Sequence, residues 1–230
     1  MTEAMSRELL DRPVWHALSG PHARFALAHG TARRFLPEIG PLAASARDNK
    51  QGMDDLAALI PQGGTLYTMQ AEEHPAPEGV SIERRAALQM VAEAHAVPRS
   101  AAMRPLSAID APAMLALATL TEPGPFALRT HELGQFWGME EDGKLVAMAG
   151  ERLRLPSYCE ISAVCVHPDH RGRGHARALI AKVMHQIEKR GETPFLTSYA
   201  HNDGAIALYE KLGFRIRREM VISLLSRRPA

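Results

Sequence analysis

The sequence predicts an α/β fold in which a mixed, mostly antiparallel sheet is flanked by helices. Two observations in the second half of the chain lead to this prediction. The elements follow in the order helix, three strands, helix, strand, helix, strand. Short turns join the first three strands, which indicates an antiparallel meander, whereas each later strand follows a helix, which indicates crossover connections.

The elements of the second half have clear boundaries. The first is a helix over Ala111–Leu120, with Asp110 as its N-cap and a proline in its first turn. Those that follow are recognised by their apolar periodicity and by the turn residues between them. They are strands over Gln135–Met139, Leu145–Leu155 and Tyr158–Val166, a helix over Ala176–Arg190, a strand over Pro194–Ala200, a helix that is capped by Asn202 or Asp203 and runs to Leu212, and a strand over Phe214–Leu225.

The first half carries no motif that indicates a chemistry. Its predicted elements are a helix over Met53–Ile60, a strand over Thr65–Gln70 and a helix over Arg84–Ala96. Scattered basic residues of this half are expected on a solvated surface, namely His16, His22, His29, Arg33 and Arg34. We therefore predict an N-terminal α/β region of unknown role, residues 1–100, and a second domain, residues 101–230.

The composition is that of a globular protein with balanced charge. Of 230 residues 46% are hydrophobic, and 27 Lys and Arg against 26 Asp and Glu give a net charge of +1. This balance argues against a dedicated nucleic-acid binder, so no nucleic-acid partner is expected. The N-terminus contains acids and no long apolar run, and no stretch approaches the length of a membrane span. We expect neither a secretory signal nor a membrane partner.

The two cysteines, Cys159 and Cys165, lie in one predicted strand. Extended chain places them about 20 Å apart, too far for a disulfide bond. Reduced thiols and a cytoplasmic location are therefore expected. The composition leaves the assembly open, and a homodimer is one arrangement.

A glycine loop joins the strand Tyr158–Val166 to the next helix. Residues 171–176 read Arg-Gly-Arg-Gly-His-Ala. A helix N-terminus offers unpartnered N–H groups and the positive end of the helix dipole, which together form a natural phosphate site. Gly172 and Gly174 allow the backbone to approach a ligand closely, and nearby arginines add positive charge. Neither a P-loop nor a Rossmann fingerprint is present, and a tight turn that only feeds the helix is the structural alternative.

This loop resembles the signature of the GNAT acetyltransferase superfamily, which is Arg or Gln, any two residues, Gly, any residue, then Gly or Ala. Residues 202–214 resemble a second block of that family in their Asn, their Tyr and the closing Leu-Gly-Phe. The resemblance covers about residues 104–225. It implies the acyl-CoA N-acyltransferase fold for residues 101–230. For residues 1–100, a degenerate copy of the same fold is one interpretation.

The resemblance also implies a cofactor, acetyl-CoA, released as CoA after transfer. In the family the pantetheine arm bonds to the backbone of the strand before the loop, which corresponds to Val164, Cys165 and Val166. Asn202 matches a further cofactor contact. The pyrophosphate loop corresponds to Arg171, Gly172, Arg173, Gly174, His175, Ala176 and Arg177.

No metal is expected, and no covalent intermediate. His167, His170 and His175 lie close together in the sequence, but a fourth ligand and a helical metal-binding spacing are missing. Backbone binding of the cofactor leaves Cys165 without a required chemical role, and no His-Asp pair is placed to activate it.

Glu160 matches the general base of the histone-acetylating branch of the family, because it lies 11 residues before Arg171. Strand alternation would place it on one face with Ser162 and Val164. Other branches use a glutamate on the next strand, where this chain has Thr197. A surface or salt-bridged glutamate is the structural alternative. Reserve candidates for the base are Glu132 and Glu151.

Tyr209 matches the general acid of the family and lies two helical turns after Asn202. A tyrosine that only packs is the structural alternative.

The resemblance implies direct attack of a primary amine within a ternary complex, and the acceptor is a small-molecule, amino-acid or peptide amine. Acceptor contacts come from variable loops, so the sequence does not identify it. The alternative function is a non-catalytic acyl-CoA sensor, which would lack a base and an acid.

Overall fold

The structure of this protein, a computed structural model, describes residues 8–93 and 102–228. These residues form five α-helices and eleven strands. The helices are α1 (Pro13–Leu18), α2 (Lys50–Ala58), α3 (Ala111–Thr121), α4 (His175–Lys189) and α5 (Asp203–Lys211). The strands are β1 (Ala26–His29), β2 (Ala32–Phe35), β3 (Ala43–Ser45), β4 (Thr65–Gln70), β5 (Val80–Ala92), β6 (Arg104–Leu106), β7 (Phe136–Glu141), β8 (Lys144–Leu155), β9 (Tyr158–Val166), β10 (Thr193–Tyr199) and β11 (Phe214–Arg227).

Eight of these strands form one sheet in the order β4-β11-β5-β10-β9-β8-β7-β6. The pair β9–β10 is parallel, and the other neighbouring pairs are antiparallel. Strands β1, β2 and β3 form a separate small sheet. Helix α4 packs on β7, β8 and β9, and α3 packs on β8 and β9. The predicted mixed, mostly antiparallel sheet with flanking helices is therefore confirmed.

The elements predicted in the second half are confirmed, with ends that differ by one or two residues. The predicted N-cap of α3 is wrong in detail. The carboxylate of Asp110 accepts a hydrogen bond from the backbone N–H of Ser107 and pairs with Arg104, so it does not cap the helix. In the described ranges, no helix is long and apolar enough to cross a membrane.

One secondary-structure prediction for the first half is wrong. The helix predicted over Arg84–Ala96 is strand β5, and its last three residues lie outside the described ranges. The segment is rich in alanine and straight-chain residues, which favour helix. In the fold it lies between β10 and β11 and hydrogen-bonds to both. Pairing along both edges overrides the local preference.

The two regions predicted from the sequence share the large sheet. Strand β11 lies between β4 and β5, and both of these come from residues 1–100. The proposed boundary at residue 100 lies outside the described ranges. That residues 1–100 are a degenerate copy of the second fold stays a prediction.

The expectation of solvated basic residues in the first half is wrong for two of them. His22 is 4% exposed and Arg34 is 6% exposed. The imidazole Nε2 of His22 accepts a hydrogen bond from the backbone N–H of Arg154 at 3.1 Å. The Arg34 guanidinium donates to the carbonyl groups of Phe35 and Leu59. Hydrogen bonds to backbone groups thus stabilise these two polar side chains in the interior. Nothing in the local sequence indicates that they are buried.

Candidate active site

A cleft opens where the parallel strands β9 and β10 separate. Their ladder joins Tyr158–Glu160 to Thr193–Phe195. Beyond Glu160 and Phe195, β9 continues to Val166 and β10 to Tyr199. A cavity of about 720 Å³ lies between the separated ends. Because this edge of β9 is not paired with β10, its backbone can bind an extended ligand as an added strand.

A bulge in β9 shapes this wall of the cleft. Ala163 has a φ of 49°, and the register with β8 shifts between the pairs Met148–Cys165 and Gly150–Ser162. The extra residue reverses the alternation of side chains beyond it. Val164 therefore packs in the cluster that holds Ile161, on the face opposite to that of Cys165. The predicted common face of Glu160, Ser162 and Val164 is wrong for Val164.

The glycine loop lies at one end of the cleft. Gly172 and Gly174 have φ angles of 76° and 82°, which only glycine adopts without strain. A Cβ atom built on either residue meets no atom within 4 Å, so the space beside the loop is open. The first backbone bond of α4 runs from the Ala178 N–H to the Gly174 carbonyl. The amides before it have no helical partner, so the loop fits an anionic phosphate group.

The predicted cofactor residues gather around this end. The cavity is lined by the glycine loop, by the cleft side of β9 and by the start of α5. Its lining includes Val164, Val166, Arg171, Gly172, Gly174, His175, Ala176, Arg177 and Asn202. Cys165 is fully buried between α3 and the sheet, so it can contribute to the cleft only through its backbone. Arg173 turns outward and pairs with Glu141.

Asn202 caps helix α5. Its side-chain oxygen accepts a hydrogen bond from the backbone N–H of Ala205 at 3.3 Å. That bond uses the carbonyl end of the amide, and the amino end is a donor that can serve a ligand. Capping and ligand binding are therefore compatible at this residue.

Glu160 is fully buried in an ion pair with Arg152. Its carboxylate accepts two hydrogen bonds, from Arg152 Nε at 2.7 Å and from Nη2 at 2.9 Å. Arg152 belongs to the lining of the cleft, and Glu160 does not. The guanidinium therefore lies between the carboxylate and the cavity. A proton from the cavity can therefore reach Glu160 if Arg152 shifts or if a water molecule beside the guanidinium relays it.

Tyr209 lines the cleft from helix α5 and packs edge-on against the ring of Phe214. Burial raises the pKa of its hydroxyl to about 12. The phenol thus keeps its proton near neutral pH and can donate it.

The thiol of Cys165 is also protonated near neutral pH, because burial raises its pKa to about 11. A protonated thiol is a poor nucleophile.

The reserve candidates for the base are held in other ion pairs. Glu151 is buried and accepts a hydrogen bond from Arg190 at 2.9 Å. Glu132 accepts two hydrogen bonds from Arg129, which holds the pKa of its carboxyl low. Neither belongs to the lining of the cleft.

The structure adds two residues that no sequence pattern had singled out. Arg152 pairs with Glu160, and Glu141 contacts the loop histidines. Thr197, which stands where other branches have a glutamate, places in the cleft a buried hydroxyl oxygen that has no hydrogen-bond partner among the described residues. Regular pairing of this hairpin, with Leu155 opposite Tyr158, would not bring residues eight apart together, and the register shifts between Glu151 and Arg154. No local spacing therefore signals the pair of Arg152 and Glu160. No sequence pattern links Glu141 to the loop.

The chain is similar to proteins that are described as acetyltransferases. Residues 137–222 match the family model of the FR47-like protein. A solved structure from Novosphingobium aromaticivorans DSM 12444 is described as an acetyltransferase from the GNAT family. It is 42% identical to this chain with a TM-score of 0.90, and the similarity covers 96% of this chain and 99% of that chain.

Curated relatives match a shorter stretch. The ribosomal protein bS18-alanine N-acetyltransferase of Escherichia coli strain K12 is 38% identical over 77 residues, which are 33% of this chain and 51% of the relative. The mycothiol acetyltransferase of Nocardiopsis dassonvillei is 38% identical over 77 residues, which are 30% of this chain and 23% of the relative. The chain thus spans about half the length of the first of these relatives and less of the second.

Proposed function

Because this chain belongs to the GNAT family of acetyltransferases, we propose that it is an acetyl-CoA-dependent N-acetyltransferase. It would move an acetyl group to a primary amine by direct attack within a ternary complex. The observation that carries the proposal is the cleft that runs from the glycine loop, between β9 and β10, to Tyr209. A phosphate site at one end and a proton donor along the wall are what a bound acyl thioester requires.

The bound acetyl-CoA would supply the acetyl group as a thioester. Its pyrophosphate would lie on the backbone amides of residues 172–176, which open helix α4. Arg171 and Arg177 would add positive charge at the cleft mouth, where both belong to the lining. The backbone of Val164–Val166 would bond to the extended arm, and the Asn202 amide would contact it from α5.

Glu160 would accept the proton that the amine loses. The bidentate contact with Arg152 fixes the orientation of the carboxylate, and a carboxylate is a group that can accept a proton. Because Arg152 lies on the path, the proton would pass once the guanidinium turns aside or through a water molecule that it orients. Tyr209 would donate a proton to the departing thiolate.

The acceptor is proposed to be the amine of a peptide or protein N-terminus. The relative that acts on an alanine of ribosomal protein bS18 supports this class. The mycothiol acetyltransferase supports the second class, a small-molecule amine. Residues from both halves of the chain line the cleft, because Met69 of β4 is among the lining residues. The cleft wall is therefore partly built from the region without a motif.

A thiol-release assay with acetyl-CoA tests the activity and the acceptor class together. The panel contains a peptide with a free N-terminal alanine, the same peptide with an acetylated N-terminus, a lysine side-chain amine and small primary amines. Turnover with the first peptide alone supports a protein N-terminus. Tight acetyl-CoA binding without turnover on any amine would support the sensor and contradict the enzyme.

The cofactor site is tested by Gly174→Glu. The substitution strains the backbone at a positive φ and puts a negative charge where the phosphates would bind. Calorimetry should show acetyl-CoA affinity at least about tenfold weaker, since a like charge placed beside an anion costs more than about 1.4 kcal/mol. Gly191→Glu is the matched control, because Gly191 also has a positive φ and open space but lies outside the cleft lining. Equal affinity in both variants would contradict the phosphate site.

A further inference from the structure

Three metal-ligand side chains from separate elements meet beside the glycine loop. Glu141 is the last residue of β7, His170 ends the short turn after β9, and His175 is the first residue of α4. Nδ1 of His170 lies 3.1 Å from Oε2 of Glu141, and Nε2 of His175 lies 3.5 Å from Oε1 of the same carboxylate. Ligand atoms of all three residues lie within 4.8 Å of one another.

These separations are within reach of a tetrahedral metal centre. Zinc bonds to histidine nitrogen and carboxylate oxygen at about 2.0–2.2 Å, so two of its ligand atoms are separated by roughly 3.3 Å. The two nitrogen–oxygen separations, 3.1 Å and 3.5 Å, lie on either side of that value but run to different oxygens of the carboxylate. Because the ligand atoms lie within 4.8 Å of one another, a small shift of the side chains would place one oxygen and both nitrogens around an ion. Two imidazoles and a carboxylate suit zinc, and they leave one position for water.

The environment of His175 points to a missing ligand. Its Nε2 atom is buried and has no hydrogen-bond partner among the described residues, although its ring is aimed at Glu141. A buried nitrogen without a partner costs free energy, and an unseen water or ion commonly accounts for such an atom. The contact with Glu141, at 3.5 Å, does not satisfy it.

We propose that Glu141, His170 and His175 form a binding site for a divalent transition-metal ion of the zinc type. The two histidines bracket the flexible glycines of the loop, and Glu141 belongs to the sheet. A bound ion would tie both ends of the loop to β7 and fix its shape. The expectation of no metal considered the loop histidines alone, and Glu141 supplies the ligand from 29 residues upstream of His170.

Arg173 is the cation that holds this carboxylate in the absence of metal. Its Nη1 atom lies 3.0 Å from Oε2 of Glu141 and 3.5 Å from Nδ1 of His170. The side chain is 52% exposed, so it can move into solvent when an ion enters. Metal and guanidinium therefore compete for one carboxylate.

Calorimetric titration of the full chain with zinc chloride, after removal of metal by EDTA, tests the site. One ion per chain is expected. Glu141→Gln, His170→Ala and His175→Asn should each weaken binding by more than about tenfold, since loss of even an indirect metal partner costs 10–100-fold. Arg173→Gln should strengthen it, because the competing cation is gone. His167→Ala is the matched control, since it removes a neighbouring loop histidine outside the cluster.

A spectroscopic measurement on the unaltered chain covers the case of a variant that fails to fold. Cobalt bound at this site should give the visible absorption of a four-coordinate ion, and equimolar zinc should remove it. Zinc should also slow amide hydrogen exchange in residues 171–174. The proposal is overturned if cobalt gives no such absorption, if no saturable zinc binding occurs, or if His167→Ala weakens binding as much as Glu141→Gln does.

Discussion

The two halves of the sheet contribute unequally to what this molecule can do. Residues 102–228 carry the separated strands, the glycine loop and the helix of Tyr209. Residues 8–93 carry β4 and β5, which complete the sheet, and buried polar contacts to the other half. Gln89, for example, is fully buried, donates to the carbonyl of Leu10 and accepts from Arg217.

This difference separates chemistry from stability along one chain. Substitutions at the cleft should alter binding or turnover, whereas substitutions in the first half away from the cleft should alter the free energy of unfolding. The two classes meet at Glu160, which is both a proposed base and half of a buried ion pair.

The largest effect is expected from removal of the first half. A fragment of residues 101–230 leaves β11 without either of its sheet partners, since β4 and β5 both belong to the missing part. It should show no cooperative thermal unfolding by circular dichroism and no binding of acetyl-CoA. The intact chain is the control. A fragment that unfolds cooperatively and binds acetyl-CoA would establish residues 101–230 as an independent domain.

Glu160→Gln should lower turnover by about 10²–10⁴, the usual contribution of a general base. It should also remove the acidic limb of the pH–rate profile while acetyl-CoA still binds. The same change leaves the Arg152 guanidinium buried without its counter-charge, so the free energy of unfolding should fall by about 3–5 kcal/mol. Turnover is therefore measured per folded molecule.

A double variant separates the two roles of Glu160. Arg152→Met with Glu160→Leu replaces the buried pair by apolar side chains of similar volume, which commonly restores stability. Turnover should stay low if Glu160 accepts the proton. Recovery of both stability and turnover would make the carboxylate a structural partner of Arg152 and nothing more.

His22 should make the stability of the protein fall in acid. Burial lowers the pKa of its imidazole from 6.5 to about 4 in the folded chain. Above pH 6.5 the ring is neutral in both states. Between pH 6.5 and 4 the unfolded chain binds a proton that the folded chain does not, so stability falls with pH by about 3 kcal/mol in total.

Urea unfolding from pH 7 to pH 4 measures this loss. His22→Gln should flatten the curve over that interval without changing turnover of the folded protein at pH 7. His185→Gln, on the exposed surface of α4, is the control for loss of an imidazole. A wild-type curve with the same slope as that of His22→Gln would contradict the assignment.

The smallest effect is expected from Tyr209→Phe. The ring and its contact with Phe214 remain, so stability and acetyl-CoA affinity should change little. Turnover should fall by less than in Glu160→Gln, because a thiolate with a pKa of about 8.5 leaves without much help. Steady-state kinetics and calorimetry on the same preparation decide the role. Equal losses of rate and affinity would make Tyr209 a binding residue, and no loss would make it a packing residue.

The second half was predicted well from the sequence because its signals are local. The apolar spacing of the α4 helix, the Asp-Gly turn between β7 and β8 and the Asn202 cap each act within a few residues. Strand β5 was wrongly predicted as a helix because the helix propensity of its residues is also a local signal. Two neighbouring strands, both more than 100 residues later, decide its conformation.

The same difference between local signals and long-range contacts applies to the candidate site. The glycine loop was predicted from its residue types, whereas Glu160 and Tyr209 were predicted from the resemblance to the GNAT superfamily, and the roles given to them stay proposals. The shield of Arg152 over Glu160 and the reversal of side chains at the Ala163 bulge were not found. A bulge depends on the register of two strands, and register is a property of the pair.

The sequence by itself determined the phosphate-type loop and the order of the elements, because helix caps, turns and periodicity act along the chain. Its resemblance to two family motifs implied the fold family. Tertiary structure decided which half completes the sheet, which carboxylate is covered by an arginine and which glutamate meets the loop histidines. Those outcomes depend on contacts such as His22 with Arg154 and Glu141 with His170. The two residues of each contact are far apart in the chain and meet only when the sheet forms. No local sequence pattern indicates which distant residues will meet.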